Sequence, residues 1–153
     1  MSLDWVLKDF PALSATELYA ILRLRQEVFV VEQRCAFLDA DGRDANALHL
    51  AGWHEGELLA YARLHVPGAV RTEALISRVV TAPKVRRDGY GRALMTRVMT
   101  ELAAAVPGAT IWLGAQARLE DFYAGFGFVP TGEPYLEDEI WHIGMLGTAL
   151  RPA

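Results

Sequence analysis

Residues 84–99, KVRRDGYGRALMTRVM, set two adjacent arginines and two glycines, two apart, immediately before a run of helix formers. A helix N-terminus carries unpaired backbone N–H groups and the positive end of the helix dipole. Together these make an anion site. Gly89 and Gly91 have no Cβ, so an anion can come close to the backbone and the turn can use positive φ. Arg86, Arg87 and Arg92 add charge around the same point. The chemistry indicated is phosphate or pyrophosphate binding, with simple turning of the chain as the plain alternative for a lone G-x-G. Two familiar phosphate loops are excluded. The dinucleotide fingerprint G-x-G-x-x-G fails because Leu94 stands at its third glycine. The P-loop pattern G-x-x-x-x-G-K-S/T does not occur. His49, His54 and His65 lack ligand spacing and there is one cysteine, Cys35, so no metal site is expected.

That loop needs a strand before it and a helix after it. ALISRVV (74–80) supplies the strand, and RALMTRVMTELAAAV (92–106) carries a helical apolar stripe that Pro107-Gly108 stops. TIWLGA (110–115) reads as a buried strand. A strand-helix-strand unit over 74–115 implies parallel strands and a right-handed crossover. Upstream, DWVLKDF (4–10) reads as a first strand. Ser14 and Glu17 form a capping box ahead of a helix over about 15–29. ALHLAGW (47–53) and LLAYARLHV (58–66) alternate around HEGE, as a β-hairpin does. RLEDFYAGF (118–126) is a short helix, and residues 128–146 hold a turn-rich middle and a final strand pair. The order is β-α-β-β-β-α-β-α-β-β. It predicts one α/β domain over 1–153, with a mixed, mostly antiparallel central sheet and helices on both faces.

The bulk properties fit such a domain. The chain has 153 residues, 52% of them hydrophobic and 22% charged. A net charge of −4 gives no field for nucleic acid. One cysteine suits a reducing cytoplasm. No basic-apolar leader opens the sequence, and no apolar run approaches the roughly 20 residues of a membrane helix. The expected protein is cytoplasmic, without nucleic-acid or membrane partners, and a homodimer is left open.

RRDGYG (86–91) resembles the R/Q-x-x-G-x-G/A signature of the GNAT superfamily of N-acetyltransferases. DFYAGFGFVPTG (121–132) resembles the FYxxxGF motif that follows it in that family. LRLRQEVFVVEQRCAFLDADGRD (22–44) and IWHIGM (140–145) look like its ElaA-like branch. RQEVFVVEQ (25–33) is also similar to acyl-homoserine-lactone synthases, which share the fold but are longer. The resemblance covers essentially the whole chain. It implies the GNAT fold and acetyl-CoA as co-substrate, without metal, donating its acetyl group directly to an amine. It further implies that the loop residues Arg86, Arg87, Asp88, Gly89, Tyr90, Gly91 and Arg92 hold the pyrophosphate. Backbone groups of Val79, Val80 and Thr81 then pair with the pantetheine arm, which a splay between the two central parallel strands admits. Gln116 falls where the family often places a cofactor contact.

Tyr123 falls where the family carries its leaving-group tyrosine; packing beside Phe122, Phe126 and Phe128 is the plain alternative. The proton of the amine needs an acceptor, for which Glu32 and His142 are the candidates. A solvated or Arg25-paired carboxylate and an ordinary strand histidine are their plain alternatives. A non-catalytic acyl-CoA-binding module is the alternative to an enzyme. Two acidic groups, Asp39, Asp41 and Asp44 and then Glu137, Asp138 and Glu139, suggest a negative cleft mouth that favours cationic amines, or else solvated turns.

Overall fold

The computed structural model describes residues 2–150. Its described residues form a seven-stranded sheet in the order β1-β2-β3-β4-β5-β7-β6. The strands are β1 (Asp4–Asp9), β2 (Leu48–His54), β3 (Glu57–His65), β4 (Ala74–Thr81), β5 (Thr110–Gln116), β6 (Val129–Glu137) and β7 (Ile140–Thr148). Only β4 and β5 run parallel; every other neighbouring pair is antiparallel. The helices are α1 (Ala15–Arg25), α2 (Tyr90–Ala105) and α3 (Glu120–Ala124). The mixed sheet and the element order expected from the sequence are both borne out.

Alternation along the central strands sorts the apolar residues onto two faces. Leu50, Ala60, Ala62 and Leu64 pack against Leu94, Met95, Val98 and Leu102 of α2. Their neighbours Ala51, Leu59 and Tyr61 pack against Ile21, Leu24 and Val28 on the other face. Two-residue turns close the hairpins. Glu55 (φ 48°) and Gly56 (φ 78°) join β2 to β3, and Asp138 (φ 49°) and Glu139 (φ 64°) join β6 to β7. Paired positive φ values suit the right-handed twist of the flanking strands. No helix of the described residues is long and apolar enough to cross a membrane.

The first helix departs from the expected span of 15–29. Its capping box forms as expected, with the Glu17 N–H donating to Ser14 Oγ at 3.0 Å and the Ser14 N–H to Glu17 Oε1 at 2.8 Å. The α-helix ends at Arg25, and Gln26–Glu32 continue as π-helix. The Gln33 N–H donates to the Val28 carbonyl and the Cys35 N–H to that of Val30, each five residues back. The wider turn shifts the face on which later side chains emerge, and π segments gather at functional sites. Apolar spacing alone does not distinguish it from a continuing α-helix.

Candidate active site

The parallel pairing of β4 and β5 is short. Ala74, Leu75 and Ile76 pair with Ile111, Trp112 and Leu113, and there it stops. On its other edge β4 stays with β3, but the register jumps from Tyr61↔Val80 to Arg63↔Ser77. Arg78 and Val79 therefore both stand opposite Ala62, as a bulge, with Arg78 at φ 55°. Bulges bend and twist a strand locally. The Arg78 guanidinium holds this conformation: Nε donates to Asp39 Oδ1 at 2.8 Å and Nη2 to the Asp39 carbonyl at 3.1 Å. Beyond Ile76 the strand edge toward β5 offers unpaired backbone groups. The gap opens into a cleft of about 910 Å³, with Val79, Val80 and Thr81 on one wall and Gly114 and Gln116 on the other.

The arginine-glycine loop meets this cleft at the start of α2. Arg87 (φ 70°) and Gly89 (φ 87°) turn the chain in the left-handed region. Gly89 is the residue before α2 and offers no side-chain cap, unlike Ser14 before α1. The N–H groups of Gly91 and Arg92, in the first turn of α2, therefore receive no side-chain cap from Gly89. Gly91 lines the cleft, and a Cβ there would meet only the Phe122 ring, at 3.8 Å. Arg86 also lines it, with Nη1 donating to Glu32 Oε2 at 2.9 Å and Nη2 to Glu32 Oε1. Glu32 is therefore the partner of Arg86; Arg25 pairs elsewhere. Arg87, Asp88, Gly89, Tyr90 and Arg92 follow the loop and first turn outside the cleft walls, with Tyr90 packed toward the α1 core.

Tyr123, Gln116, Glu32 and His142 all line the same cleft. Tyr123 is buried on α3, in edge contact with Phe122 and Phe128 at 5.1 and 6.4 Å. Burial pushes its hydroxyl up to about 12. That hydroxyl makes no hydrogen bond among the described residues. Gln116 lies opposite His142 across β5 and β7, and its amide donates to Gln33 Oε1 at 3.3 Å. His142 Nδ1 lies 2.7 Å from the Ile140 carbonyl. A carbonyl only accepts, so Nδ1 carries a proton and the neutral ring keeps its lone pair on Nε2. The ring stacks on Tyr135, with centroids 5.6 Å apart, and Nε2 lies 3.8 Å from Glu137.

A family model described as an acetyltransferase (GNAT) domain matches residues 26–148. The chain belongs to the GNAT family. It is 40% identical over 145 residues to ElaA of Escherichia coli, covering 94% of this chain and 95% of ElaA. The ElaA crystal structure superposes with a TM-score of 0.88 at 39% identity, over 94% of this chain and 98% of that one. The crystal structure of an acyl-CoA N-acyltransferase from Pseudomonas aeruginosa gives a TM-score of 0.91 at 44% identity, over 95% and 99%. The acyl-homoserine lactone synthase BjaI shares the fold, with a TM-score of 0.77 at 17% identity over 98% and 84%. This GNAT protein of the ElaA-like branch is an acyl-CoA-dependent acyltransferase.

In this GNAT domain the first acidic group does not form the negative cleft mouth expected from the sequence, nor a set of solvated turns. Asp39 and Asp44 bind the fully buried Arg25, through Nε at 2.8 Å and Nη1 at 2.7 Å. The Arg63 fork takes both oxygens of Asp41 at 2.8 Å and Asp44 at 2.9 Å. Burial opposes these charges, yet hydrogen bonds and charge from Arg63 hold the Asp41 carboxyl well below the usual range. Asp44 is held down in the same way, chiefly by Arg25. The cluster fixes loop 39–46 to the sheet and spends its charge internally. In the second group, Glu137 and Asp138 do line the cleft. Sequence reasoning missed Trp112, Tyr135 and Arg71, which also line it. A visible signal was present: Gly114 and Gly144 interrupt apolar strands, and a Cβ at either would collide with Tyr135 or Trp112.

Proposed function

We propose that this enzyme is an N-acetyltransferase that moves an acetyl group from acetyl-CoA to an amine by direct attack. The observation that carries the reading is the divergence of β4 and β5 beside an uncapped, glycine-turned helix N-terminus. The α2 N–H groups, Gly89, Gly91 and nearby Arg87 and Arg92 hold the pyrophosphate. Backbone groups of Val79 to Thr81 pair with the pantetheine arm as an added strand does.

Acetyl-CoA supplies a thioester, and the residues of this chain then have two tasks. Tyr123 steadies the charge that grows on the departing sulfur. With its hydroxyl near 12 and an alkyl thiol near 8.5, full proton transfer runs uphill by about 3.5 pH units. Tyr123 therefore donates a hydrogen bond and keeps its proton. His142 takes the amine proton at Nε2, because Ile140 fixes the tautomer and Glu137 faces the imidazolium that forms. Glu32 sits in an ion pair with Arg86 beside the donor loop and serves that loop.

The test is release of CoA thiol over a panel of amines, with mass detection of the acetylated product, for wild type, His142→Gln and Glu32→Gln. His142→Gln is expected to lower kcat by about 10²–10⁴-fold, with Glu32→Gln close to wild type. A wild-type kcat in His142→Gln with a loss of about 10²–10⁴-fold in Glu32→Gln would transfer the role to Glu32.

A further inference from the structure

The charges around the far end of the cleft, away from the glycine loop, do not balance where they are exposed. Arg25, Arg63 and Arg78 face Asp39, Asp41 and Asp44 in direct ion pairs, three against three. Of the other cleft-lining arginines, Arg86 pairs with Glu32 and Arg118 donates to Gln116, which leaves Arg43 and Arg71. The Arg43 backbone is fixed on both sides: its N–H donates to Asp41 Oδ1 at 3.0 Å and its carbonyl accepts from His65 Nε2 at 2.8 Å. Its guanidinium meets no acceptor among the described residues. The Arg71 Cζ lies over the Trp112 ring, 3.9 Å from the centroid. Its Nε donates to Glu73 at 3.0 Å, which leaves the other arms of the fork open. Both members of that pair are partly exposed, and such pairs exchange readily for another carboxylate.

The loops that carry the two arginines are joined. Asn46 Nδ2 donates to the Ala69 carbonyl at 3.3 Å, tying the Arg43 loop to the Arg71 loop, and the Gly68 N–H closes the latter on the Arg71 carbonyl at 2.8 Å. Glu137, Asp138 and His142 line the same cleft, His142 opposite Gln116 of β5, four residues along that strand from Trp112. Tyr135 lies between: its hydroxyl sits over Gly114 where β5 leaves β4, and the charges of Glu137 and Arg71 both bear on it. One side of the acceptor space thus suits an amine, and the other a carboxylate held by guanidinium forks.

We propose that the acceptor is an amino acid or short peptide whose carboxylate binds Arg43 and Arg71 while its amine faces His142 and Glu137. This rests on the N-acetyltransferase reading and reverses the preference for cationic amines that the sequence suggests. A diamine would set its second ammonium against Arg43 and Arg71, whereas a zwitterion matches both ends. Phe37 and Leu38 also line the cleft and are available to an apolar side chain.

The experiment measures kcat/KM with acetyl-CoA for phenylalanine, methionine and lysine, their amides, their decarboxylated amines, and 1,4-diaminobutane. Each rate is corrected for the free-base fraction of the amine. The free acids are expected to exceed the amides and amines by about 10- to 100-fold, the range for hydrogen bonds to a charged group. Arg71→Gln and Arg43→Gln should each erode that preference through KM, while the thermal shift given by CoA stays at the wild-type value. In parallel, the CoA-saturated protein is titrated with N-acetylphenylalanine and with N-acetylphenethylamine. Equal rates for acids and amides, a preference for 1,4-diaminobutane, or no carboxylate-dependent turnover or binding overturns the proposal. Absence of any CoA thermal shift in wild type would instead remove the acetyltransferase reading beneath it.

Discussion

The two glycines of the phosphate loop are expected to fail differently when given side chains. Gly89 sits at φ 87° with nothing within 4 Å of where its Cβ would lie. A side chain there is opposed by the backbone alone, by about 1–2 kcal/mol for alanine. A domain of this size loses roughly 2–4 °C of Tm per kcal/mol, so Gly89→Ala should melt about 2–8 °C lower. Gly91 is helical, and its Cβ would make one ordinary contact at 3.8 Å with Phe122. Valine and glycine differ by only a few tenths of a kcal/mol in a helix, so the ligand-free Gly91→Val should melt within about 1–2 °C of wild type. The ligand response should move oppositely to these costs. CoA at 100 times its Kd adds about 2.7 kcal/mol, or roughly 5–11 °C, to wild type. Gly91→Val, whose branched side chain stands where the proposed pyrophosphate site meets the first turn of α2, should lose nearly all of that shift. The assay is differential scanning fluorimetry with and without CoA. A full CoA shift in Gly91→Val would refute the placement of the anion, and an unchanged ligand-free Tm in Gly89→Ala would refute the backbone argument.

Tyr123→Phe keeps the ring against Phe122 and Phe128 and removes one hydroxyl, so kcat should fall by about 10- to 1,000-fold with CoA affinity unchanged; steady-state kinetics and a CoA titration check both halves. Stability should fall as the solution is acidified, in two stages. Burial holds His49 and His65 below their ordinary value, so below about pH 6.5 the unfolded chain takes up protons that the folded chain refuses. The lowered Asp41 and Asp44 add a second loss below about pH 4. Melting curves from pH 8 to 3 should show both, and His49→Gln should flatten the first stage.

The sequence by itself determined the elements and their order. The capping box at Ser14, the alternation of β2 and β3, and the stripe along α2 are local patterns, and local patterns fix local structure. It also pointed to the loop proposed to hold the anion, because glycine and cation at a helix start are written in adjacent residues. Tertiary structure decided what those elements enclose. Arg78 reads as one odd charge in an apolar strand; its contact with Asp39, 39 positions away, holds the bulge that follows Ile76, where β4 leaves β5. The same holds for charge. Asp39, Asp41 and Asp44 look like a solvated acidic turn until Arg25 and Arg63 reach them from α1 and β3. Once those pairs close, the aspartates are neutralised, and the cations left at the cleft are Arg43, whose guanidinium is unpaired among the described residues, and Arg71, which shares its charge with Glu73. Net charge is additive along a chain, but the field in a cleft depends on which charges have already found partners, and that is settled only when distant segments meet.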